Sequence, residues 1–309
     1  MAVDLTPIDK DLLKTLTDLH GIPSTAYNIR KDGQLVSRSD SAYIEIATKK
    51  DHPGIDITIK KGTKGEKVYI PVIISKAGVN DLVYNTFYVQ DDCEVTIIAG
   101  CGIHQNGHEA SQHDGIHTFY IGNNCNVKYI ERHYGEGEGS GERILNPTTE
   151  VFIGENSYCE MEMTQLGGVT STIRETNAEI GNNSKYVLTE KLMTEEEQVA
   201  VSNLKIVLKG ENSNVQIISR SVAKDSSKQT FNPLVIGENA CHGHVQCDAI
   251  IMDNAVVKAV PGIEAAHTDA QLVHEAAIGK IAGDQIIKLM TLGLTEEEAE
   301  QEILEDFLS

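Results

Sequence analysis

The first stretch with a clear pattern of apolar and polar positions is the segment 7–20, where apolar residues recur at helical spacing. Its apolar positions are Ile8, Leu12, Leu13, Leu16 and Leu19. Because residues three and four positions apart share one face of a helix, this spacing predicts an amphipathic helix. Gly21 and Pro23 follow directly, and both residue types end helices.

From residue 42 to residue 90 apolar and polar residues alternate weakly, which is typical of strands with one buried face. The alternation predicts four strands: Ala42–Ala47, Ile55–Lys60, Val68–Ser75 and Leu82–Gln90. Gly, Asn, Val and Ile are plentiful along the chain, and this composition suits short strands joined by tight turns.

From about residue 87 the alternation becomes a repeat of apolar strand, Gly-x-Asn turn, small residue and second strand. The turn glycines are Gly122, Gly154, Gly181, Gly210 and Gly237, which lie 32, 27, 29 and 27 residues apart. Gly and Asn both tolerate positive φ at a sharp corner. A repeat of this period without helices predicts a right-handed parallel β-helix, that is, a β-solenoid. A β-sandwich with similar turns is the alternative.

After Ala276 the apolar spacing becomes helical. Residues 285–290 predict one helix that stops at Gly293, and Thr295 with Glu298 forms the capping box of a second. The second helix has its apolar positions at Ala299, Ile303, Leu304, Phe307 and Leu308. The predicted organisation is an N-terminal helical or irregular segment 1–40, a β-helix core 41–276 and a C-terminal helical region 277–309.

The segment 135–141 alternates glycine with glutamate or serine, and we expect a flexible, exposed acidic loop. It is not a phosphate-binding loop, because no Lys-Ser or Lys-Thr follows and its charge would repel phosphate.

The net charge of the chain argues against some classes of binding partner. The chain has 46 acidic against 26 basic residues, a net charge of −20. This balance disfavours nucleic acids and anionic membrane surfaces. Apolar runs are too short for a membrane span and residues 1–20 lack a signal region, so we expect a cytoplasmic protein.

The six cysteines form no Cys-x-x-Cys pair. Three of them, Cys93, Cys125 and Cys241, occupy the same place in the repeat, which favours a packing role. A disulfide framework is typical of smaller secreted domains, so we do not expect one here.

Cys247, His274 and Glu275 combine side chains that are ligands for iron or zinc. Neighbouring residues of a strand point to opposite faces, so His274 and Glu275 can share a metal only at a strand end or across an interface. Taken alone, a cysteine in a strand is more often a buried packing residue than a metal ligand. A neighbouring His-Glu pair is likewise more often solvated or hydrogen-bonded than metal-binding.

A second group of candidates lies upstream, where five histidines fall within 30 residues. The group contains His104, His108, His113, His117 and His133, with Cys101, Glu109 and Asp114 nearby. It lacks the fixed short spacing of a zinc motif. We therefore favour structural hydrogen bonding over transient iron or zinc binding. His242 and His244 are candidates for outer-shell groups around Cys247.

Several motifs in a fixed order resemble a known family. They are Gln246-Cys247-Asp248, Pro261–Glu264, His274-Glu275-Ala276, and the segments 113–119, 131–137, 141–147 and 293–299. In this order the chain resembles the SufB/SufD family, the scaffold subunits of the SUF iron–sulfur cluster machinery. It is most similar to the short archaeal-type SufB homologues (SmsB).

The resemblance implies a non-catalytic scaffold that assembles a labile [4Fe-4S] or [2Fe-2S] cluster. Cys247 matches the cysteine implicated in cluster binding by SufB, and His274 matches a histidine of SufD. SufB has Glu-His-Glu where this chain has Val273-His274-Glu275, so the first carboxylate is missing. The resemblance also implies a sulfur-entry cysteine further upstream, and Cys159 lies near that region without a clean match.

The implied partners are a second copy or a SufB/SufD paralogue, sulfur-donor and acceptor proteins, and a SufC-like ABC-type ATPase on the C-terminal helices. The chain itself has no Walker A motif, so any use of ATP would belong to that partner. We expect a homodimer whose site takes Cys247 from one subunit and His274 or Glu275 from the other.

Two other classes of function remain open at this point. One is a β-solenoid interaction subunit that binds no cluster, because a fold does not fix a function. The other is a solenoid enzyme acting on polysaccharides. Such enzymes usually present aromatic platforms, and here aromatics make up 5% of the chain and tryptophan is absent.

Overall fold

A computed structural model describes residues 5–19 and 21–308. Its helices are α1 (Pro7–Thr17), α2 (Gly283–Met290) and α3 (Glu296–Leu308). Its strands are β1 (Ala26–Lys31), β2 (Gln34–Ser39), β3 (Ile44–Thr48), β4 (Gly54–Ile59), β5 (Glu66–Ile74), β6 (Asn80–Val89), β7 (Glu94–His104), β8 (Ser111–Ile121), β9 (Asn126–Glu136), β10 (Arg143–Leu145), β11 (Thr148–Ile153), β12 (Tyr158–Leu166), β13 (Ser171–Ile180), β14 (Lys185–Thr194), β15 (Val199–Leu208), β16 (Ser213–Ala223), β17 (Lys228–Gly237), β18 (Cys241–Ile251), β19 (Val256–Ala259), β20 (Gly262–Ala265) and β21 (Gln271–Gly279).

The strands form a β-solenoid of about eight turns, as the repeat predicts. Sheet A has the order β2-β1-β5-β7-β9-β12-β14-β16-β18-β21, and sheet B has the order β19-β17-β15-β13-β10-β8-β6-β4-β3. In sheet B, β11 pairs with β8 and β13, and β20 pairs with β17. The chain thus alternates between the sheets and returns parallel to itself one rung further on. The antiparallel pairs β1–β2 and β3–β4 lie at the N-terminal end.

The rungs stack in register, so equivalent side chains form columns along the solenoid axis. The interior columns are largely apolar and form the main core, to which Phe87 and Phe119 contribute rings stacked 4.4 Å apart. Burial of this apolar surface drives folding at roughly 25 cal/mol per Å². The core fixes which face of each strand points inward.

Asparagine and glycine have different tasks at the repeated corner. Asn124, Asn156, Asn183 and Asn212 have φ values of +53° to +56°, in the left-handed region. The glycines two residues earlier do not. At Gly154 a Cβ atom would lie 2.6 Å from Oδ1 of Asn123 and 2.8 Å from the carbonyl oxygen of Gly122. Glycine is therefore required there because the rung beneath approaches closely.

The small residue after the corner asparagine hydrogen-bonds to the preceding rung. Cys125 Sγ donates to the carbonyl oxygen of Gln90 at 3.2 Å, and Ser157 Oγ donates to that of Gly122 at 2.9 Å. Thiol and hydroxyl play the same role, so the corner cysteines are structural, as the repeat predicts. All six cysteines are buried and reduced.

The N-terminal segment combines a helix with the first strands. Thr6 and Asp9 form a capping box at the start of α1, whose buried leucines Leu12, Leu13 and Leu16 face the solenoid. Lys31 on β1 bonds Asp9 at 2.6 Å. Strands β1 and β2 fall inside the segment predicted to be helical or irregular, and β1 pairs with β5. The sheet therefore begins before residue 41.

The predicted loop is present at residues 137–141, where Glu138 and Ser140 are exposed, whereas Gly135 and Glu136 belong to β9. Backbone hydrogen bonds hold this loop against the preceding rung. Gly139 N donates to the carbonyl oxygen of Gln105, and Gly141 N donates to that of Gly107, at 2.9 and 3.0 Å. These bonds extend the ladder between β7 and β9 outward. The glycines are present because the two backbones lie too close for side chains between them.

The C-terminal region forms the predicted pair of helices. Thr295 and Glu298 make the expected reciprocal capping bonds at the start of α3. Leu304 and Leu308 of α3 pack against Val222 at the end of β16. Helix α2 has no buried residue. None of the helices in the described ranges is long and apolar enough to cross a membrane.

Substituting Gly154→Ala tests the close approach of rungs at the corner. We expect a loss of about 1–3 kcal/mol in the free energy of unfolding, because the new methyl group contacts the backbone of the rung beneath. Gly279→Ala is the matched control, since a Cβ there meets no atom within 4 Å. Urea unfolding followed by far-UV circular dichroism measures both. Equal midpoints for the two variants would contradict this account of the corner.

Candidate functional site

Cys247 lies in an interior column of sheet A that is unusually polar. The column runs through Glu131, Met163, Glu190, Ser219 and Cys247 and ends at Ala276 on β21. The Cys247 side chain is 1% exposed. Burial raises the pKa of its thiol to about 11, with further contributions from the Asp248 and Glu190 carboxylates. The thiol is therefore protonated at neutral pH.

His274 lies on β21, the last strand of sheet A, and stacks above Val245 of β18. Cys247 and Val245 both point inward, so His274 shares the face of Cys247 on the neighbouring strand. Its Nε2 atom is buried and has no hydrogen-bond partner among the described residues. Burial lowers the pKa of the imidazole, which favours the neutral form that metals bind.

Glu275 points to the opposite face, as strand geometry predicts. Its Oε1 atom lies 3.0 Å from Nε2 of His244, and the carboxylate is 59% exposed. Within one protomer the structure thus brings Cys247 and His274 to one face and leaves Glu275 on the other. His244 contacts Glu275 and not Cys247.

In the described part of the chain, no three His, Cys, Asp or Glu side chains are grouped to hold a metal ion. Cys247 and His274 lie on one face of the last two strands of sheet A. The thiol and the unpartnered imidazole nitrogen are suitable donors for iron, and further ligands would have to come from elsewhere.

The five upstream histidines divide into two groups. His113, His117 and His133 line one small cavity with Cys101 and Glu131, and His104 and His108 lie apart from it. His104 bonds Glu136, and His108 bonds Ser140, both on the extended ladder outside the core. His113 Nδ1 lies 3.2 Å from Asp81 Oδ2. Each of these three has a hydrogen-bond partner, in line with the structural role favoured from the sequence.

His117 and His133 belong to a buried charged network with Glu131 and Arg174. Arg174 donates to Glu131 at 2.7 Å and to Nδ1 of His133 at 3.3 Å. Burial alone would raise the pKa of Glu131, but the neighbouring His133 and Arg174 hold it at about 2. Burial lowers the pKa of His117 to about 4 and that of His133 to about 3. Both histidines are therefore neutral and serve as hydrogen-bond partners.

Glu190 extends this network toward Cys247. Its carboxylate accepts hydrogen bonds from Ser202 at 2.9 Å and lies 3.7 Å from Nε of Arg174. Burial raises its pKa, although Arg174 opposes the shift. Ser219 separates Glu190 from Cys247 in the column.

Sequence reasoning did not find Glu131, Arg174 or Glu190. A signal was present, because each occupies an inward position in a strand of alternating pattern, where the repeat otherwise places apolar residues. The alternating pattern shows that each of these charged residues is buried. It does not show which of them contact each other, because Glu131 and Arg174 are 43 positions apart.

Comparison with known proteins agrees with the motif order. A family model described as "SUF system FeS cluster assembly, SufBD core domain" matches residues 74–307. An iron–sulfur cluster assembly SufBD family protein of Archaeoglobus fulgidus is 26% identical over 89% of this chain and 73% of its own length. One of Methanocaldococcus jannaschii is 27% identical over 82% of this chain and 79% of its own length.

A relative in Methanothermobacter thermautotrophicus strain Winter, also named an iron–sulfur cluster assembly SufBD family protein, is 27% identical over 77% of this chain. The matched region covers 58% of that relative's own length. For a second relative, from strain Delta H, it covers 55% of the length. The chain thus spans little more than half the length of these two proteins. With a family model covering most of its length and the β-solenoid that the motifs imply, the chain belongs to the SufBD family.

Proposed function

We propose that this protein is a scaffold subunit for iron–sulfur cluster assembly, which binds a nascent cluster at the open end of its solenoid and passes it to acceptor proteins. The observation that carries the proposal is the placement of Cys247 and the unpartnered His274 on one face of the last two strands of sheet A. The family of the chain supports the same role. The cluster is the cargo of the protein, and the protein itself catalyses no reaction.

The proposed ligand set explains why the cluster would be labile. A thiol with a pKa of about 11 must release its proton when iron binds, and this release opposes binding at neutral pH. Imidazole binds iron less firmly than thiolate in such sites. A cluster held by few thiolates is therefore easier to transfer than one held by four.

A second copy is the proposed source of the missing ligands. Strand β21 is the edge of sheet A, and its outer backbone groups have no strand partner among the described residues. An unpaired edge readily adds another strand. Antiparallel pairing of two β21 strands would continue the inward face across the interface and bring His274 of one subunit toward Cys247 of the other, with two equivalent sites related by the twofold axis. Glu275 would stay on the outer face in such a pair.

Helix α2 is the proposed docking element for a SufC-like ATPase. Its Ile287 and the following Leu292 are 60% and 76% exposed, which is unusual for residues of this size. The helix begins four residues after β21 ends. A pull on α2 would therefore move β21, the strand that covers Cys247 and carries His274.

Cys247→Ser tests the cysteine directly. We expect anaerobic reconstitution with iron and sulfide to give a sulfide-to-iron absorbance band in the wild type and less than about a tenth of that band in the variant. Serine fits at this position because Ser219 occupies the same column one rung below.

The matched control is Cys241→Ser, because serine occupies the equivalent corner at Ser157, Ser184 and Ser213. This variant should load like the wild type. Equal loading of Cys247→Ser would place the cluster elsewhere. No loading of any form, under conditions that load another scaffold, would favour an interaction subunit without a cluster.

Mixed dimers test whether the two ligands come from different subunits. Cys247→Ser and His274→Ala homodimers should each load poorly. In a mixed dimer of the two, one interface site regains both side chains, so we expect up to half of the wild-type cluster content. Iron and sulfide analysis of dimers purified with two different affinity tags gives this ratio. Ligands from the same subunit would give no recovery.

Leu292→Asp tests the docking element. A charge in the exposed apolar patch should weaken co-purification with a SufC-like ATPase about tenfold or more, while reconstitution of the isolated scaffold is unchanged. Leu166→Asp, at an exposed leucine of β12, is the control and should bind the ATPase normally. Similar weakening by both variants would argue against docking at α2.

A further inference from the structure

A small enclosed cavity lies inside the first half of the solenoid, between β7 and β9 of sheet A and β8 of sheet B. Among the residues that line it are Cys101, His113, Gly115, His117 and Glu131. We propose that this cavity binds one copper(I) ion between the Nε2 atoms of His113 and His117. The proposal does not depend on cluster binding at the end of the solenoid.

Strand β8 places the two histidines on either side of a glycine. Inward and outward positions alternate along the strand, so His113, Gly115 and His117 all face the interior. A Cβ atom at residue 115 would lie 3.2 Å from Nε2 of His113 and 3.2 Å from Nε2 of His117. Both imidazole nitrogens therefore approach one point, and the space at that point exists because glycine has no side chain.

Hydrogen bonds determine which nitrogen of His117 carries the proton. The Tyr129 hydroxyl donates to Oε1 of Glu131 at 3.0 Å, so its oxygen accepts from Nδ1 of His117 at 2.7 Å. In a neutral imidazole Nε2 then carries a lone pair. This lone pair accepts a long bond from the Asn85 amide, at 3.3 Å, which an ion can replace.

His113 is oriented in the same way. Its Nδ1 atom lies 3.2 Å from Oδ2 of Asp81, and a carboxylate only accepts, so Nδ1 is the donor. Arg30 bonds the other oxygen of Asp81 at 2.8 Å and holds that carboxylate in place. His113 is only 5% exposed, yet within the described ranges its Nε2 atom forms no hydrogen bond. This nitrogen is therefore free to bind a ligand in the cavity.

Both histidines have the surroundings that metal-binding histidines usually have. A ligating imidazole almost always donates its other N–H group to an acceptor, which fixes the ring and makes the free nitrogen a better ligand. Asp81 is this acceptor for His113, and Tyr129, itself held by Glu131, is the acceptor for His117. The interior thus directs two oriented nitrogen donors at one point.

The number of donors and the size of the cavity select the ion. In the part of the chain that the structure describes, no third His, Cys, Asp or Glu side chain is grouped with this pair to hold a metal ion. The cavity volume is about 10 Å³, room for about one water-sized guest, so water cannot complete a larger coordination shell. Zinc takes four ligands, and magnesium and calcium take six or more. Copper(I) is a d¹⁰ ion that two donors in line satisfy, and imidazole is a suitable ligand for copper.

The charges around the cavity favour a monovalent ion. Arg174 lies 2.7 Å from Glu131, and Arg30 lies 2.8 Å from Asp81, so each carboxylate already has a guanidinium partner. Burying an ion costs free energy that grows with the square of its charge, so a divalent ion costs about four times as much as a monovalent one. Cys101 adds a soft sulfur atom to the wall, which also suits copper(I).

An anaerobic competition titration against the coloured copper(I) chelator bicinchoninate tests the proposal. Every form of the full chain carries Cys247→Ser, because that thiol is the proposed iron ligand and would compete for copper(I). We expect one tightly bound ion per chain. Gly115→Ala should bind copper(I) at least about a hundredfold more weakly, because its methyl group fills the point between the two nitrogens while every donor remains. Gly279→Ala, where a Cβ meets no atom within 4 Å, is the control and should bind like the parent.

His113→Phe tests the donor itself, because it keeps a ring of similar size and removes both nitrogens. We expect a loss of affinity of about a hundredfold or more. His104→Phe is the matched control, since His104 bonds Glu136 outside the cavity, and it should bind copper(I) like the parent. If far-UV circular dichroism shows that Gly115→Ala does not fold, the comparison of these two histidine variants decides.

X-ray absorption at the copper K edge identifies the donor atoms. We expect a low-coordinate copper(I) ion with nitrogen in its first shell. A first shell of sulfur alone would place the ion at the cysteines and overturn the proposal. Absence of binding overturns it too, as does equal affinity of the parent and a folded Gly115→Ala, or equal weakening by His113→Phe and His104→Phe.

Discussion

The unshifted parallel register between rungs is the constraint on which the rest of this structure depends. Because each strand pairs with its equivalent in the next turn, a residue of one rung lies on its counterpart in the rung below. Aromatic rings therefore stack on aromatic rings, and corner asparagines follow one another along an edge. The same constraint aligns Glu131, Glu190 and Cys247 in one interior column. A slip of one residue would turn all of these side chains to the opposite face.

The buried charges make that register specific, although removing them from water costs free energy. Arg174 lies between Glu131 and Glu190, and all three side chains are almost fully enclosed. Removing one member leaves an unpaired charge in the interior, which costs about 3–5 kcal/mol. An apolar column tolerates several registers, but a guanidinium that must reach Glu131 and His133 tolerates one. The polar interior of the middle rungs therefore positions the rungs that follow, including the one that carries Cys247.

The parts of the fold that sequence could predict are those that depend on local spacing. Corner residues such as Asn183 were predictable because a positive φ restricts residue type at one position, and the Thr295–Glu298 cap needs only four residues. The loop at 137–141 was predictable from its glycines, but its hydrogen bonds were not, because their acceptors, Gln105 and Gly107, are distant in the sequence. The opposite orientations of His274 and Glu275 followed from strand geometry alone. The bond between Glu131 and Arg174, in contrast, depends on which side chains face each other across the interior.

The end of a solenoid differs physically from its middle, and the proposed site makes use of that difference. Every interior rung is covered on both sides. Among the described residues, β21 has a strand neighbour on one side only, so His274 lies at the boundary of the core, and its Nε2 has no hydrogen-bond partner there. Cys247 is one strand further in, where it is shielded from solvent and keeps its proton. A single strand thus separates the thiol from whatever binds at the open end. Because α2 begins four residues after that strand ends, a force applied to the helix would act first on β21, which carries one proposed ligand and covers the other. In the proposed scaffold, such an arrangement would couple the availability of the cysteine to partner binding without any change in the middle rungs.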